Sequence, residues 1–260
     1  MIFDTHTHLN DKQFDQDLEE VIRRAREEYG VSWMLNVGFN RETIKSSIEL
    51  AEKYDFIYSA VGWHPTDAIY YQEEDLAYLR ELTAHPKVIA LGEMGLDYHW
   101  DTSPKDVQEH VFKEQIRLAR EVKLPIIIHD RDAHEDVISI LGSEHAEEVG
   151  GVLHCFGGDE AIMEAALEMN FYIGLGGPVT FKNAKLPKEI ARLVPEDRLL
   201  LETDCPYLAP HPYRGKRNET GYVRLVAEQI AEIRGISVEE LARITTDNAM
   251  RLFRVPNSAN

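Results

Sequence analysis

The sequence predicts an α/β protein folded as a single (β/α)8 TIM barrel, and three observations predict it. Eight short apolar runs recur along the 260 residues, separated by polar or Gly-rich exits and by stretches with helical periodicity. Most of the runs are apolar on both faces, as buried parallel strands are. Five of the exits carry a His, Glu or Asp, and the C-terminal end of barrel strands is where polar chemistry collects. An open doubly wound sheet is the competing architecture. No GxGxxG follows the first run and no GxxxxGK[ST] occurs anywhere, so the signals of a nucleotide-binding sheet are missing.

The elements follow in order. The apolar runs are Ile2–Thr5, Trp33–Val37, Phe56–Val61, Val88–Leu91, Pro125–Ile128, Gly151–Leu153, Phe171–Leu175 and Leu199–Leu201. Asp17–Tyr29 carries Leu18, Val21, Ile22 and Ala25 on one helical face. Asn40 can cap a helix reaching about Lys53, and Asp159 can cap Glu160–Met169. Ser103-Pro104 reads as a cap followed by Pro at the first helical position, opening a helix toward Val122. Gly176 to about Pro187 reads as a long exit loop. Tyr222–Arg234 presents Val223, Val226, Ile230 and Ile233, and Ser237 with Glu240 forms a capping box before a last helix. Without a Pro-, Gly- or Ser-rich linker, residues 1–260 read as one domain, with the barrel over about 1–235 and an extra helix over about 237–253.

Bulk composition narrows the function. Net charge is −18, from 28 basic and 46 acidic residues, which argues against a broad nucleic-acid or lipid surface while leaving room for a local basic site. Two cysteines, Cys155 and Cys205, make no disulfide framework and suit a reducing compartment. With no secretory leader pattern and no apolar run near the roughly 20 residues of a membrane span, a cytoplasmic location is expected, with no membrane and no obligatory protein partner.

The exits carry the chemistry. His6 and His8 leave the first run two positions apart, hence on one side of a strand. Glu93 follows the fourth run, His129 the fifth, His154 the sixth and Asp204 the eighth. One His after an apolar run is ordinarily a satisfied core or surface residue; six candidates at the same end of one barrel form a metal centre. Six ligands exceed one tetrahedral shell and suit two divalent ions sharing a carboxylate, with Glu93 as the bridge. Imidazole-rich shells favour Zn, Mn, Co or Ni over Mg. Asp204 is the candidate to orient or deprotonate water, and His64, at the third exit, is the candidate donor to a phosphate or leaving oxygen. Arg131, Lys216 and Arg217, with neighbouring Arg214, are the candidate phosphate contacts in a chain otherwise short of positive charge. Trp63, Tyr98 and Trp100 could stack a base, although packing is the commoner use of such residues. Glu202 is expected to support a metal-bound imidazole from behind.

The string His6-Thr-His8, Gly62-Trp-His64-Pro65, Gly92-Glu93-Met-Gly-Leu-Asp97, His129-Asp-Arg131-Asp132, His154-Cys-Phe156, Glu202-Thr-Asp204 and Arg217-Asn218-Glu219 resembles the TatD family of metal-dependent hydrolases. The similarity runs from residue 1 to about 253, with one departure: Thr220 stands where the family element continues with Pro. The resemblance implies an amidohydrolase-like barrel and a metal-dependent DNase, often a 3′–5′ exonuclease, with two divalent ions (Mg, Mn or Zn). It puts His6, His8, Glu93 and Asp204 around one ion and Glu93, His129 and His154 around the other. DNA ends or a small phosphodiester are then the expected substrate, since an acidic protein should grip few phosphates. Two rivals are a dinuclear amidohydrolase or deacylase acting on a C–N or ester bond, such as aminoacyl-tRNA, and a metal-stabilised scaffold without activity.

Overall fold

The computed structural model describes residues 1–100 and 102–256, so the last four residues of the expected domain lie outside the described residues. Eight parallel strands pair in sequence order: β1 (Ile2–Thr7), β2 (Val31–Gly38), β3 (Ile57–Val61), β4 (Val88–Asp97), β5 (Ile126–Arg131), β6 (Gly151–Leu153), β7 (Phe171–Leu175) and β8 (Leu199–Leu201). The ring closes between β8 and β1 through a Thr7–Cys205 bridge, with Asp204 N–H donating to the His6 carbonyl at 2.9 Å and His8 N–H to the Cys205 carbonyl at 2.8 Å. The predicted barrel is therefore the observed one, and its closing seam carries three of the expected ligands.

Nine α-helices surround or close the ring: α1 (Leu18–Glu27), α2 (Arg41–Lys53), α3 (Glu73–Leu82), α4 (Lys105–Val122), α5 (His134–Ser143), α6 (Glu160–Glu168), α7 (Lys185–Leu193), α8 (Val223–Arg234) and α9 (Val238–Phe253), counted among the described residues. Asn40 caps α2 in a reciprocal box with Thr43, and Asp159 caps α6 through Ile162 N–H. Ser103 does not cap α4. Its hydroxyl instead donates to the Thr66 carbonyl and accepts from Ile69 N–H, tying the β4 exit to the β3 exit. The stretch expected as loop from Gly176 to Pro187 contains a short 3-10 turn (Gly177–Thr180) and the start of α7. Pro187 is tolerated there because the first helical turn has no intrahelical use for its missing N–H.

Alternate strand positions divide the core in two. Ile2, Met34, Ile57, Leu91 and Ile128 face the helical layer, whereas Phe3, Trp33, Leu35, Ile127, Val152, Tyr172 and Leu200 fill the barrel interior. The last helix belongs to the interior. Ala249, Met250, Leu252 and Phe253 of α9 join that inner cluster, and Phe253 lies 6.2 Å from Phe3 at the start of β1. Each large apolar side chain buried this way contributes about 1.5–3 kcal/mol, so α9 is the floor of the barrel and not an appendage. With the strands' starting end sealed, the open end is the one where they finish.

The β1–β8 seam rests on a fully buried carboxylate. Asp4 accepts from Thr203 N–H at 2.9 Å and from the hydroxyls of Thr203 and Thr220 at 2.7 Å each. Thr220, the departure from the family pattern, thus supplies a donor that proline could not.

Candidate metal centre at the barrel mouth

Three exits turn sharply at this end. Asp132, Cys155 and Asp204 all take left-handed backbone, at φ 57°, 46° and 58°. Such conformations cost energy in a non-Gly residue and persist where the surroundings enforce them. Strands β4 and β5 run further than their apolar cores predict. Their pairing continues through Gly95–His129 and Asp97–Arg131, so Glu93 and His129 sit inside strands instead of on loops. Gly95, at φ 146°, is required there, because any Cβ would collide with the His129 carbonyl.

The six candidate ligands converge on one point. His6 Nε2 and His8 Nε2 are 3.2 Å apart, and Glu93 Oε2 lies 3.4 Å from the first and 4.0 Å from the second. Asp204 Oδ1 lies 3.3 Å from His8 Nε2 and 3.7 Å from His6 Nε2. On the other side, Glu93 Oε1 lies 2.8 Å from His129 Nδ1 and 2.8 Å from His154 Nε2. His8 Nδ1 is 3.1 Å from the Val37 carbonyl, which fixes its proton there and leaves the Nε2 lone pair facing inward. His6 Nδ1, His154 Nδ1 and Glu202 Oε2 are buried without a protein partner. At the centre itself the Nε2 atoms of His6, His8 and His154, Nδ1 of His129 and the oxygens of Glu93 and Asp204 face one another with too few protons to join them, a donor set that fits divalent cations.

Electrostatics agree with that donor set. Burial alone would raise the Glu93 carboxyl; the imidazoles of His154, His64 and His6 and the bond from His129 outweigh it and hold it well below the usual carboxylate range. Asp204 is likewise opposed by burial, and the bond from His8 with the charges of His154 and His6 holds it down. Both are anionic at neutral pH.

His64 differs from the other imidazoles. Its Nδ1 accepts from Thr66 N–H at 3.1 Å, so its ring proton sits on Nε2, which is 3.5 Å from Glu93 Oε1. Burial, and after it the charge of His129, pushes its pKa down, keeping the ring neutral. That tautomer presents an N–H to the centre, which suits a donor, while the spacing of His64, Glu93 and His129 also suits a metal ion.

Glu202 lies behind His154, with Oε1 3.5 Å from His154 Nδ1 and accepting from Cys155 N–H. The thiol of Cys155 is pushed up beyond the ordinary range, chiefly by burial, and is inert.

A further buried carboxylate, Asp97, borders the centre. Asp97 is 1% exposed, and its Oδ2 lies 2.8 Å from His129 Nε2, while Oδ1 accepts from the backbone of His99 and Trp100. A carboxylate behind an imidazole fixes its tautomer and aims the opposite nitrogen, here Nδ1, at the centre. Period-two spacing from Glu93 would have found it, had β4 been extended past Leu91. Asp97→Ala is expected to lower divalent-metal affinity about 10–100-fold, and Asp97→Asn, which keeps an acceptor oxygen, to recover part of it. Competition against a chromogenic chelator measures both, and equal affinities across the three proteins would remove the role.

The basic residues separate. The mouth opens into a cavity of about 1080 Å³ lined by the centre and by Trp100, Arg131, Phe181, Arg214 and Lys216. Arg131 is not paired to Asp130 or Asp132; among the described residues its guanidinium lies 5.8 Å from the Trp100 ring centre. Trp63 and Tyr98 pack elsewhere, Trp63 at 4% exposure and Tyr98 against Asp136. Arg217 does not face the cavity, contrary to expectation. Its guanidinium makes two 2.7 Å bonds to the carboxylate of Asp17 and one of 3.0 Å to Glu219, which also takes Arg24. It fastens the β8 exit to the start of α1. Arg217→Ala should therefore leave substrate KM unchanged and cost about 1 kcal/mol of stability by urea unfolding, the scale of a part-exposed pair. A raised KM at unchanged stability would restore the phosphate role.

A family model described as TatD related DNase matches residues 3–254. The chain is 62% identical over 255 residues to the Bacillus subtilis uncharacterized metal-dependent hydrolase YabD, covering 98% of this chain and 100% of that one. It is 38% identical over 260 residues to a protein of Erwinia tasmaniensis named 3′-5′ ssDNA/RNA exonuclease TatD, covering 98% and 100%. The crystal structure of YJJV, a TatD homolog from Escherichia coli K12, superposes with a TM-score of 0.92 at 30% identity, covering 98% of each chain. With its barrel and its ring of His and Glu groups able to bind metal, this chain belongs to the TatD family of metal-dependent hydrolases.

Proposed function

We propose that this protein is a dinuclear nuclease that releases nucleotides from the 3′ end of single-stranded DNA. The observation that carries the reading is the division of Glu93. One oxygen faces His6 and His8, and the other faces His129 and His154. A carboxylate so divided suits two cations, one of which His6, His8 and Asp204 would also hold and the other His129 and His154. The imidazole count favours Zn or Mn over Mg. Bound there, such ions would supply Lewis acidity, lowering the pKa of water and neutralising phosphoryl oxygens.

The chain's own groups do the rest. Asp204, anionic and 15% exposed, reaches the cavity and can take a proton from an attacking water. His64 offers its Nε2 proton to a phosphoryl or leaving oxygen. Arg131 and Lys216 hold phosphate at the rim. The loss of Arg217 from the mouth does not favour the amide or ester reading, because Arg214 faces the cavity in its stead. No helix among the described residues is long and apolar enough to cross a membrane, and two free thiols suit the cytoplasm. The relative named for ssDNA and RNA exonuclease activity supports the substrate class.

The test is a metal-resolved screen on 3′- and 5′-labelled single strands beside an amide and ester panel. Stepwise loss from the 3′ end is expected. Turnover of amides or esters alone would overturn the nuclease reading.

A further inference from the structure

Two cation–aromatic pairs flank the metal centre. Arg131 lies 5.8 Å from the Trp100 ring centre at the β4 and β5 exits, and Arg214 lies 4.2 Å from the Phe181 ring centre at the β7 and β8 exits. In the ring order β1 to β8 the two pairs stand three strands apart, across the mouth from each other. Both line the one cavity that holds the ligands.

Three features separate these pairs from ordinary surface contacts. Trp100 is 55% exposed and lines the cavity, whereas Trp33 and Trp63 are buried, so its indole is the one accessible to a ligand there. Arg131, Arg214 and Lys216 all line the cavity and have no carboxylate within ion-pair distance among the described residues. In a chain of net charge −18, three cations around one cavity without a carboxylate partner among the described residues are set out for a ligand's anions. The arms are also held in advance. Trp100 N–H donates to Asp97 Oδ1 at 2.9 Å, and His211 N–H donates to Thr180 Oγ1 at 2.8 Å, stitching the loop of Arg214 to the loop of Phe181.

We propose that these pairs form a two-armed clamp for a single-stranded polynucleotide, each aromatic ring stacking one base and each guanidinium holding the adjoining phosphate. The inference rests on the nuclease reading and extends it to how the single strand is held. A stacked, unpaired base requires a single strand, and a ring face reads no sequence, so the clamp is tolerant of base identity. The cavity, at about 1080 Å³, lies at the upper end of small-ligand pockets and has room for more than the scissile nucleotide. Three phosphate contacts give a binding slope in salt of about −2, shallow for a nucleic-acid protein.

The experiment uses metal-loaded full-length protein and an oligothymidylate of eight nucleotides blocked by terminal phosphorothioates. Quenching of Trp fluorescence follows binding, because Trp100 is the exposed one of the three indoles. Trp100→Ala and Phe181→Leu should each weaken binding roughly 5- to 150-fold, the range for one lost base stack, and should each reduce the preference for the oligothymidylate over an abasic strand of equal length, which the double variant should lose; fluorescence anisotropy of labelled strands reads the variants without Trp100. Arg214→Ala should reduce the salt slope by about 0.7. Metal content and melting temperature identify any variant that misfolds, and Trp100→Phe, which keeps a ring, should retain affinity. Wild-type protein that binds and cleaves single strands while both aromatic variants match it would overturn the clamp and spare the nuclease. Wild-type protein that neither binds nor cleaves any strand would overturn both.

Discussion

Glu93→Ala is expected to empty the protein of metal and to lower activity by at least about 10²–10³-fold, the scale on which a single preorganised electrostatic group acts. Both of its oxygens are committed, one toward His6 and His8 and the other toward His129, His154 and His64. Asp204 meets only His6 and His8, Asp97 meets His129 from behind, and Glu202 approaches the far side of His154, so among the described residues Glu93 alone contacts both the His6–His8 and the His129–His154 pairs at their facing nitrogens. Removing a buried charge that balances several imidazoles leaves them facing one another without compensation, a loss on the order of 3–5 kcal/mol for a buried pair. The variant should also lose the stabilisation that metal gives the folded state, so adding metal should raise the melting temperature of wild type and not of Glu93→Ala. Elemental analysis of desalted protein is the direct measurement. Two ions retained in the variant would end the bridging role.

What the sequence discloses, and what it withholds, follows from the range of the interactions involved. The barrel is legible because strand and helix periodicities are local and because both faces of Ile126-Ile127-Ile128 are buried. The ligands are legible because each stands at or just past the end of an apolar run, so counting runs suffices to bring His6, His129, His154 and Asp204 to one rim. Arg217 is not legible for the opposite reason. Its nearest charges in sequence are Arg214, Lys216 and Glu219, but Asp17, 200 residues away, decides where its guanidinium points. Asp97 is hidden because polar residues within β4 end the apolar pattern while backbone pairing to β5 continues. Phe181 is hidden because a Gly- and Pro-containing stretch reads as featureless loop, although hydrogen bonds from the β8 exit fix its conformation. Ser103 carries a cap signal that a tertiary bond to the β3 exit overrides.

Asp204→Asn should separate proton transfer from metal retention, and a fall in kcat of about 10²–10⁴-fold is expected with little change in KM. Asparagine keeps the shape and one acceptor oxygen but cannot take a proton. The position suits a base. Asp204 is more open than Glu93, 15% against 5%, and it contacts the pair His6 and His8 on one side while bordering the cavity on the other. Its depressed pKa, set by the bond from His8 and the charges of His154 and His6 against the opposing effect of burial, keeps it ready to accept a proton at neutral pH. A carboxylate in that position could also act as a metal ligand alone, and the two roles part under excess metal. If kcat returns toward wild type as metal is raised, Asp204 served to hold the ion. If kcat stays low while elemental analysis counts the same ions as in wild type, the missing function is the acceptance of a proton, which leaves His64 to donate one on the other side of the reacting phosphate.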